Sequence, residues 1–216
     1  MTTTPRLWTF RLSPFAGKVR VAAAEKGVEL ELVEIHAGNR PPRLAELNVT
    51  GRVPVLELED GVIRESSIIS EWLEETHPEP PLWPADPVLR GWARGWAKWI
   101  DDELTANFFL AMRKFAYGKS PDDPDDIVER LTRRVPKRWG TLETALATHE
   151  GPWLAGEQFT FADIAGAPIA VRIPEWNADL LPDPAAYPLV TAWLTAVRER
   201  PSSAAIDAKG EPVLTG

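Results

Sequence analysis

The chain has 216 residues, of which 44% are hydrophobic, which is enough to pack the core of one large domain or of two modest ones. Acidic residues outnumber basic residues by 32 to 24, so the formal charge is −8 and a nucleic acid is not expected as a partner. The absence of cysteine excludes disulfides, thiolate metal sites and cysteine nucleophiles.

The first third of the chain alternates between strand and helix patterns. The predicted elements are a strand at 6–12, a helix at 14–27, a strand at 28–35, a short helix at 40–48, a hairpin at 52–65 and a helix at 66–77. Gly27 is expected to end the first helix, and Asp60-Gly61 is expected to form the two-residue hairpin turn. The order βαβαββα predicts an α/β domain over residues 1–78, with a parallel crossover first and an antiparallel hairpin last.

A proline-rich stretch separates this domain from a helical one. Five prolines, at positions 78, 80, 81, 84 and 87, rule out a helix interior or a central strand, so residues 79–86 are predicted to be a linker. Helices are then predicted at 87–118, 124–149, 160–173 and 187–200, which makes residues 87–216 an all-helical domain. At the start of the third of these helices, Thr160 and Asp163 have the spacing of a capping box.

Three tryptophans share one face of the first long helix. Trp92, Trp96 and Trp99 recur at helical spacing, a pattern that is typical of a buried packing stripe. Gly91 and Gly95 beside them indicate the close approach of a neighbouring helix. The tryptophans offer more apolar surface than one helix needs for its own core, so part of it is predicted to be shared in a symmetric homodimer.

Other classes of function lack a signal in the sequence. The longest apolar run, at 164–171, is far shorter than the roughly 20 residues of a membrane helix, and the first ten residues do not resemble a secretory signal. A cytoplasmic protein without membrane contact is therefore expected. The three histidines do not stand at ligand spacing, so no metal is expected either. Because phosphate-loop and nucleophile-elbow motifs are missing, the chemistry is expected either to make modest demands on the side chains or to be borrowed from a bound small molecule.

Four motifs follow one another along nearly the whole chain. They are SPFAGKVRVAAAEKG at 13–27, GRVPVLELEDG at 51–61, IRESSIISEWLEETHP at 63–78 and WLAGEQFTFADIAGAP at 153–168. Together they resemble the cytosolic glutathione transferases, and the Ser-Pro-Phe start resembles the serine-type classes, notably the plant tau class and many bacterial members. The resemblance implies a thioredoxin-like domain followed by an all-helical domain, with glutathione as co-substrate. It also implies a homodimer in which the N-terminal domain of one subunit meets the helical domain of the other.

The resemblance further implies the residues of a glutathione site. The positions that it assigns to glutathione are Asn39 or Arg40, Arg52, Val53, Pro54, Glu65 and Ser66, with Ser13 beside the sulfur. The backbone of Val53 is expected to pair with the cysteinyl part like an added strand, and Pro54, at the start of a strand, is expected to be cis. Glu65 and Ser66 would hold the γ-glutamyl end at a helix N-terminus. Arg52 would lie near the glycyl carboxylate, with Asn39 or Arg40 as a second contact.

Two positions have alternative roles. With Pro14 at the first helical position, Ser13 has the pattern of an N-cap that accepts a hydrogen bond from a free helix amide. Its hydroxyl would alternatively donate to the glutathione thiolate, a nucleophile that this cysteine-free chain has to borrow. Ser66 or Ser67 is likewise predicted to cap the helix at 66–77, which is the alternative to a role of Ser66 in glutathione binding.

The expected activity is that of a glutathione transferase, in which bound glutathione attacks a small, hydrophobic electrophile, as in detoxification. Two enzymatic alternatives are glutathione-dependent isomerisation and the cleavage of ethers or carbon–halogen bonds. A third alternative is a non-catalytic member that serves as a scaffold. The electrophile is expected between Ser13 and the first long helix, where the candidate contacts are Arg11, Phe109, Met112, Arg113 and Tyr117.

Overall fold

The computed structural model describes residues 3–36, 40–109, 127–176 and 178–212. The chain forms two compact units, of which the first runs to Pro81 and resumes at Ala204, and the second extends from Leu82 to Ser203. All residues beyond the linker, 87–216, were predicted to belong to the helical domain. The C-terminal segment instead belongs to the first unit, because it adds a strand to the sheet of that unit.

The first unit contains a five-stranded mixed sheet. Its strands are β1 (Arg6–Thr9), β2 (Glu31–Glu34), β3 (Val55–Glu57), β4 (Val62–Arg64) and β5 (Glu211–Pro212), and its helices are α1 (Pro14–Glu25), α2 (Pro42–Leu47) and α3 (Ser66–Thr76). The strand order is β4-β3-β1-β2-β5. Strand β1 pairs in parallel with β2 and antiparallel with β3, and β3 pairs antiparallel with β4. The predicted thioredoxin-like βαβαββα order is confirmed, whereas β5, which pairs in parallel with β2, was not predicted.

Helix α1 begins and ends on local signals. Pro14 occupies its first position, where its missing amide hydrogen costs nothing. At the other end Gly27 takes a φ of +64°, the left-handed conformation that glycine adopts without strain. This lets the amide of Val28 donate to the carbonyl of Ala23 over 2.9 Å, and the amide of Gly27 to that of Ala24 over 3.2 Å. The helix therefore ends in a Schellman motif, and the prediction that Gly27 ends it is confirmed.

The hairpin of β3 and β4 turns one residue earlier than predicted. The amide of Leu58 donates to the carbonyl of Gly61 over 2.8 Å, so the central residues of the turn are Glu59 and Asp60. Gly61 is the closing residue and does not take a positive φ. The turn accordingly does not use the conformational freedom of Gly61 on which the prediction rested.

A charged contact joins α2 to the sheet. Oε1 of Glu57 accepts a hydrogen bond from Arg43 over 2.6 Å, and Oε2 accepts one from the indole of Trp8 over 2.8 Å. Burial of the Glu57 carboxyl opposes its ionisation, but the hydrogen bonds from Arg43 and Trp8 outweigh that effect, so the pKa of Glu57 is lowered. The apolar cluster that contains Trp8 also includes the buried side chains of Ile35, Leu44, Leu47 and Val55.

The second unit is helical throughout its described residues apart from its loops. Its helices are α4 (Pro87–Trp99), α5 (Ile127–Leu146), α6 (Phe161–Trp176) and α7 (Pro188–Glu199), and a π-helical turn at Ile100–Thr105 continues α4. Asp86 caps α4 by accepting from the amides of Val88 and Leu89. The prediction of an all-helical second domain is therefore confirmed for the described residues of the unit that ends at Ser203. No helix in the described ranges is long and apolar enough to cross a bilayer.

A buried carboxylate organises the start of α6. Oδ1 of Asp163 accepts from the amide of Leu154 over 3.0 Å and from the indole of Trp193 over 2.9 Å. Oδ2 accepts from the amide of Thr160 over 2.9 Å and from its hydroxyl over 3.1 Å, while Thr160 Oγ1 accepts from the amide of Ala162 over 3.2 Å. The predicted capping box is thus present. Burial raises the pKa of Asp163 although the four hydrogen bonds oppose the rise.

The tryptophan face of α4 is less buried than predicted. Trp92, Trp96 and Trp99 form an edge-to-face series with ring centroids 6.0 and 5.4 Å apart, but Trp92 is 37% exposed and the other two are only half-buried. Gly91 and Gly95 are exposed, and no described atom lies within 4 Å of where a Cβ on either would stand. The neighbouring helix that the two glycines indicated does not pack there within the described residues.

Candidate functional site

Three loops meet at one edge of the sheet in the first unit. Ser13 follows the end of β1, Pro54 precedes β3, and Glu65 follows β4. The register pairs Trp8 with Val55 and Val55 with Arg64, which sets the end of β1, the start of β3 and the end of β4 side by side. The topology therefore brings the residues that the sequence assigned to glutathione to a single edge.

Ser13 closes a turn and caps α1 at the same time. Its amide donates to the carbonyl of Phe10 over 2.8 Å, and its Oγ accepts from the amide of Ala16 over 3.3 Å. The residue is only 6% exposed. A hydroxyl that accepts a bond still has a proton to donate, and no acceptor for that proton lies among the described residues. The capping role and the donor role are therefore compatible in one side chain.

A buried asparagine shapes the loop before β3. Nδ2 of Asn48 donates to the carbonyl of Arg52 over 3.0 Å, and Oδ1 accepts from the amide and the hydroxyl of Thr50 over 3.2 and 3.0 Å. Gly51 takes a φ of +59° and donates its amide to the carbonyl of Asn48 over 2.7 Å. The sequence analysis did not single out Asn48, although the Asn-x-Thr-Gly pattern is typical of a turn that an asparagine side chain stabilises.

This loop presents Val53 with its main chain unpaired. The peptide bond between Val53 and Pro54 is cis, as predicted. Neither the amide nor the carbonyl of Val53 forms a hydrogen bond within the described residues, so both remain available to an extended peptide. Arg52 is exposed beside it. Arg40, also exposed, lies against the same loop, since its Nη1 is 3.3 Å from the position of a Cβ on Gly51.

The start of α3 differs from the prediction that Ser66 or Ser67 caps it. Glu65 is the N-cap, with a φ of 68° and no side-chain capping bond, and Ser66 is the first residue of the helix. A residue other than glycine in this region is strained by about 1–3 kcal/mol, and such strain is concentrated at functional sites. The amide of Ile69 donates to the carbonyl of Glu65 over 2.9 Å, which makes Glu65 the acceptor of a helical i to i+4 hydrogen bond.

An anion would find several partners at this helix start. The Ser66 side chain is buried, and its hydroxyl forms no hydrogen bond with the described residues. Lys18 of α1 is also buried, and its Nζ donates to the hydroxyl of Ser67 over 3.2 Å, which brings a cation to the same helix end. The sequence analysis missed Lys18, because nothing in the spacing of α1 relates it to α3. Hydroxyl, ammonium and helix dipole together favour a carboxylate here.

Of the predicted electrophile contacts, only Arg11 and Phe109 lie among the described residues. Arg11 pairs with Asp207 over 3.0 Å, so its guanidinium is already engaged. Phe109 is half-buried in the second unit, at the end of a described range. Four further candidates lie outside the described residues, namely Asn39 of the glutathione site and Met112, Arg113 and Tyr117 of the electrophile site.

A cavity of about 790 Å³ lies at the opposite edge of the sheet. Its lining comes from residues before β1, before β2 and after β3, and includes Glu29, Glu59 and Asp60. Three carboxylates make it unsuitable for an anionic tripeptide such as glutathione. The edge that carries Ser13 is therefore the better candidate site.

The chain was compared with families and proteins of known description. Residues 7–81 match the family described as Glutathione S-transferase, N-terminal domain, and residues 102–201 match Glutathione S-transferase, C-terminal domain. A probable maleylacetoacetate isomerase of Caenorhabditis elegans is 30% identical over 182 residues, which cover 83% of this chain and 84% of the relative. A glutathione S-transferase of Pseudomonas putida is 32% identical over 213 residues, or 95% of this chain and 92% of the relative.

Solved structures agree with these relatives. The crystal structure of a glutathione S-transferase from Rhodospirillum rubrum F11 superposes with a TM-score of 0.80 at 30% identity, and the match covers 94% of this chain and 91% of that one. The two matched domains account for most of the sequence, and they coincide with the thioredoxin-like and helical units of the structure. The chain therefore belongs to the glutathione S-transferase family.

Proposed function

We propose that this glutathione transferase holds glutathione at the edge formed by Ser13, Val53 and Glu65, and activates it as a thiolate that attacks a small hydrophobic electrophile. The observation that carries the proposal is the hydrogen bonding of the Ser13 hydroxyl. Its oxygen accepts the amide of Ala16, while its proton has no acceptor among the described residues. That proton is available to a thiolate bound beside the N-terminus of α1.

The energy that this requires is within reach of one hydroxyl and one helix. A free thiol has a pKa near 8.5, so only a few per cent of it is thiolate at pH 7. Lowering the pKa by about two units takes about 2.7 kcal/mol of preference for the anion. A hydrogen bond to a charged group contributes about 1.5–3 kcal/mol, and a helix N-terminus about 0.3–1 kcal/mol. The serine therefore stabilises the thiolate without ionising.

The charged groups at the two ends of the tripeptide are assigned to protein groups that attract them. The γ-glutamyl carboxylate is placed at the start of α3, with the hydroxyl of Ser66, and its ammonium beside Glu65. The cysteinyl backbone pairs with the free amide and carbonyl of Val53. Arg52 and Arg40 border the same loop and supply positive charge for the glycyl carboxylate.

A titration of the bound thiol tests the proposal. Thiolate absorbance of glutathione, followed against pH at saturating protein, should give a pKa about two units below that of the free thiol. A bound thiol that titrates near its free value contradicts the proposed role of Ser13. A scaffold without catalysis would instead show no glutathione binding, and so would lack the stabilisation of about 2.7 kcal/mol expected when glutathione is present at 100 times its dissociation constant.

Glutathione-dependent isomerisation is the second candidate. The likeness to the probable maleylacetoacetate isomerase, at 30% identity and 83% coverage of this chain, favours it over ether or halide cleavage. The same thiolate would add to a double bond, allow rotation and leave again. Conjugation consumes one glutathione per electrophile whereas isomerisation returns it, so a count of free thiol before and after turnover distinguishes the two.

Assembly as a homodimer is part of the same proposal. Val88, Leu89 and Trp92 of α4 are 79%, 36% and 37% exposed, and Gly91 lies between them with no described atom near it. A second copy of the chain that packs on this face would bury the apolar groups and could approach closely over the glycine. The cytoplasmic location and the absence of a metal stay predictions.

A further inference from the structure

The turn that positions Ser13 is fixed by hydrogen bonds to both backbone groups of one residue, Arg11. This turn runs from Phe10 to Ser13. The amide of Arg11 donates to Oε1 of Glu34 in β2 over 2.6 Å. The carbonyl of Arg11 accepts from Nη2 of Arg20 in α1 over 3.0 Å. Glu34 and Arg20 are 6% and 3% exposed, so two buried charged side chains fix the amide and the carbonyl of one residue, which belong to two successive peptide units.

Arg20 also binds the C-terminal segment of the chain. Its Nε donates to the carbonyl of Ala205 over 2.9 Å, and its Nη2 to the carbonyl of Ile206 over 2.8 Å. Its Nη1 donates to the hydroxyl of Thr9, the last residue of β1. All three nitrogens of one guanidinium therefore join the end of β1, the turn and residues 205–206. A planar fork of donors suits this task, and the single ammonium of a lysine does not.

Two further contacts connect the same segment to the turn and the sheet. Asp207 pairs with the side chain of Arg11 over 3.0 Å. Four residues later, β5 pairs with β2, where Pro212 stands opposite Glu34. Glu34 thus accepts the amide of Arg11 with its side chain, and its backbone position is paired with Pro212, the last residue of β5. Its second oxygen is buried without a partner among the described residues, a cost that is explained if the group is kept for its bond to Arg11.

We propose that Arg20 is a positioning residue for Ser13, and that the C-terminal segment from Ala205 to Pro212 helps to hold Arg20 and the turn in place. The inference rests on the proposed role of Ser13 as donor to the thiolate. A hydrogen bond weakens steeply as its angle and length depart from the optimum, so a donor on a short turn has to be held. Without Arg20 the carbonyl of Arg11 loses its partner, and the orientation of the Ser13 hydroxyl is no longer fixed.

Lys26 provides a matched control on the same helix. It too is a buried cation of the α1 region, but it donates to the carbonyls of Pro80, over 2.6 Å, and Pro78, over 3.4 Å, and pairs with Glu74. These partners lie at the end of the helix remote from Ser13. Lys26→Met should therefore lower the melting temperature, as loss of a buried cation does, without changing the chemistry of the turn.

The test is the titration of bound glutathione in Arg20→Lys, Lys26→Met and wild type. In Arg20→Lys the pKa of the bound thiol should rise by about one unit and kcat near neutral pH should fall about tenfold, with the dissociation constant of glutathione changed less than about threefold. In Lys26→Met the thiol should titrate as in wild type. In the Ser13→Ala background Arg20→Lys should add no further shift, because the two residues act through one bond.

Three results would overturn the inference. They are an unchanged titration in Arg20→Lys, an equal shift in Lys26→Met, and an undiminished shift in the Ser13→Ala background. If Arg20→Lys does not fold, Asp207→Asn replaces it, because this exposed pair can be removed with the fold intact. It should raise the pKa of the thiol by about 0.3 to 0.5. Asp102→Asn, which removes the similarly exposed pair with Lys98, is its control. A wild-type thiol that is not activated refutes the proposed function itself.

Discussion

In the proposed site Ser13 caps α1 and also donates to the thiolate, and the loss of each role can be measured separately. Ser13→Ala removes the acceptor for the amide of Ala16, so the free energy of unfolding should fall by about 1 kcal/mol. It also removes the donor to the thiolate, so the pKa of bound glutathione should rise and turnover with a model electrophile should fall about tenfold or more, since about 1.4 kcal/mol is one decade. Affinity for glutathione should stay nearly intact, because the proposed contacts of Val53 and of the start of α3 with the rest of the tripeptide are not changed.

The control for this variant is the capping residue of another helix. Asp86→Ala removes the cap of α4 and should cost a similar stability, about 1 kcal/mol, with no effect on the thiol. If Ser13→Ala behaves like Asp86→Ala in every measurement, Ser13 is a cap alone and the proposed mechanism is wrong.

Glu57 links the acid stability of the sheet to one carboxyl group. Its pKa is lowered in the folded state from the ordinary value of 4.5, so it stabilises the fold above that pH and this contribution is lost as the pH falls through the lower, folded value. Glu57→Gln should therefore reduce stability at neutral pH and make the unfolding midpoint less dependent on pH below about 4.5. Denaturant titrations at several acidic pH values measure both effects. Equal slopes in the two proteins would contradict this account.

At the scale of elements, the start of α6 depends on Asp163 more than on helix propensity. Asp163→Ala leaves four donors without the acceptor that they share in a buried site, namely the amide of Leu154, the amide and hydroxyl of Thr160 and the indole of Trp193. The free energy of unfolding should fall by about 3 kcal/mol or more, well beyond the loss expected for the exposed cap in Asp86→Ala. Chemical denaturation of the two variants makes the comparison. A loss of 1 kcal/mol or less would show that the network is not cooperative.

The elements predicted correctly are those that local chemistry specifies. Helix α1 is bounded by Ser13-Pro14 and Gly27, whose capping preferences act within a few residues, and the capping box of α6 is of the same kind. Strand β5 was missed because two residues acquire strand geometry only by pairing with β2, 178 residues away in the register of Val33 with Glu211. Short-range patterns carry no such information.

The candidate site shows the same difference between residues that local motifs identify and residues that only long-range contacts identify. Ser13, Val53 and Glu65 were located by motifs, and the sheet brings them to one edge. The positive φ of Glu65 was not predicted, because a glutamate followed by two serines reads as an ordinary helix start. Lys18 and Arg20 were not singled out, because their partners lie on α3 and in the C-terminal segment. Their significance depends on contacts that only the folded chain makes.

At the scale of the whole molecule, the exposed face of α4 predicts the oligomeric state. Light scattering at micromolar concentration should give twice the chain mass of 24.0 kDa. Val88→Glu places a charge on that face and should return the mass to that of one chain, because an unpaired charge opposes burial. Leu181→Glu, at a residue of the same unit that is 37% exposed, should leave the dimer intact. A single-chain mass for the wild type would refute the assembly.

The return of the C-terminal segment to the sheet has a consequence for synthesis on the ribosome. The first unit is begun before the second and completed by β5, with the whole of the second unit made in between. At about 5–20 residues per second, the sheet waits several seconds or longer for its last strand. During that interval Arg20 lacks the carbonyls of Ala205 and Ile206, and the turn before Ser13 lacks its complete support. The nascent first unit therefore contains Ser13 before it contains the groups that hold the turn, and the proposed activation of glutathione has to wait until residues 205–212 have been made and have paired.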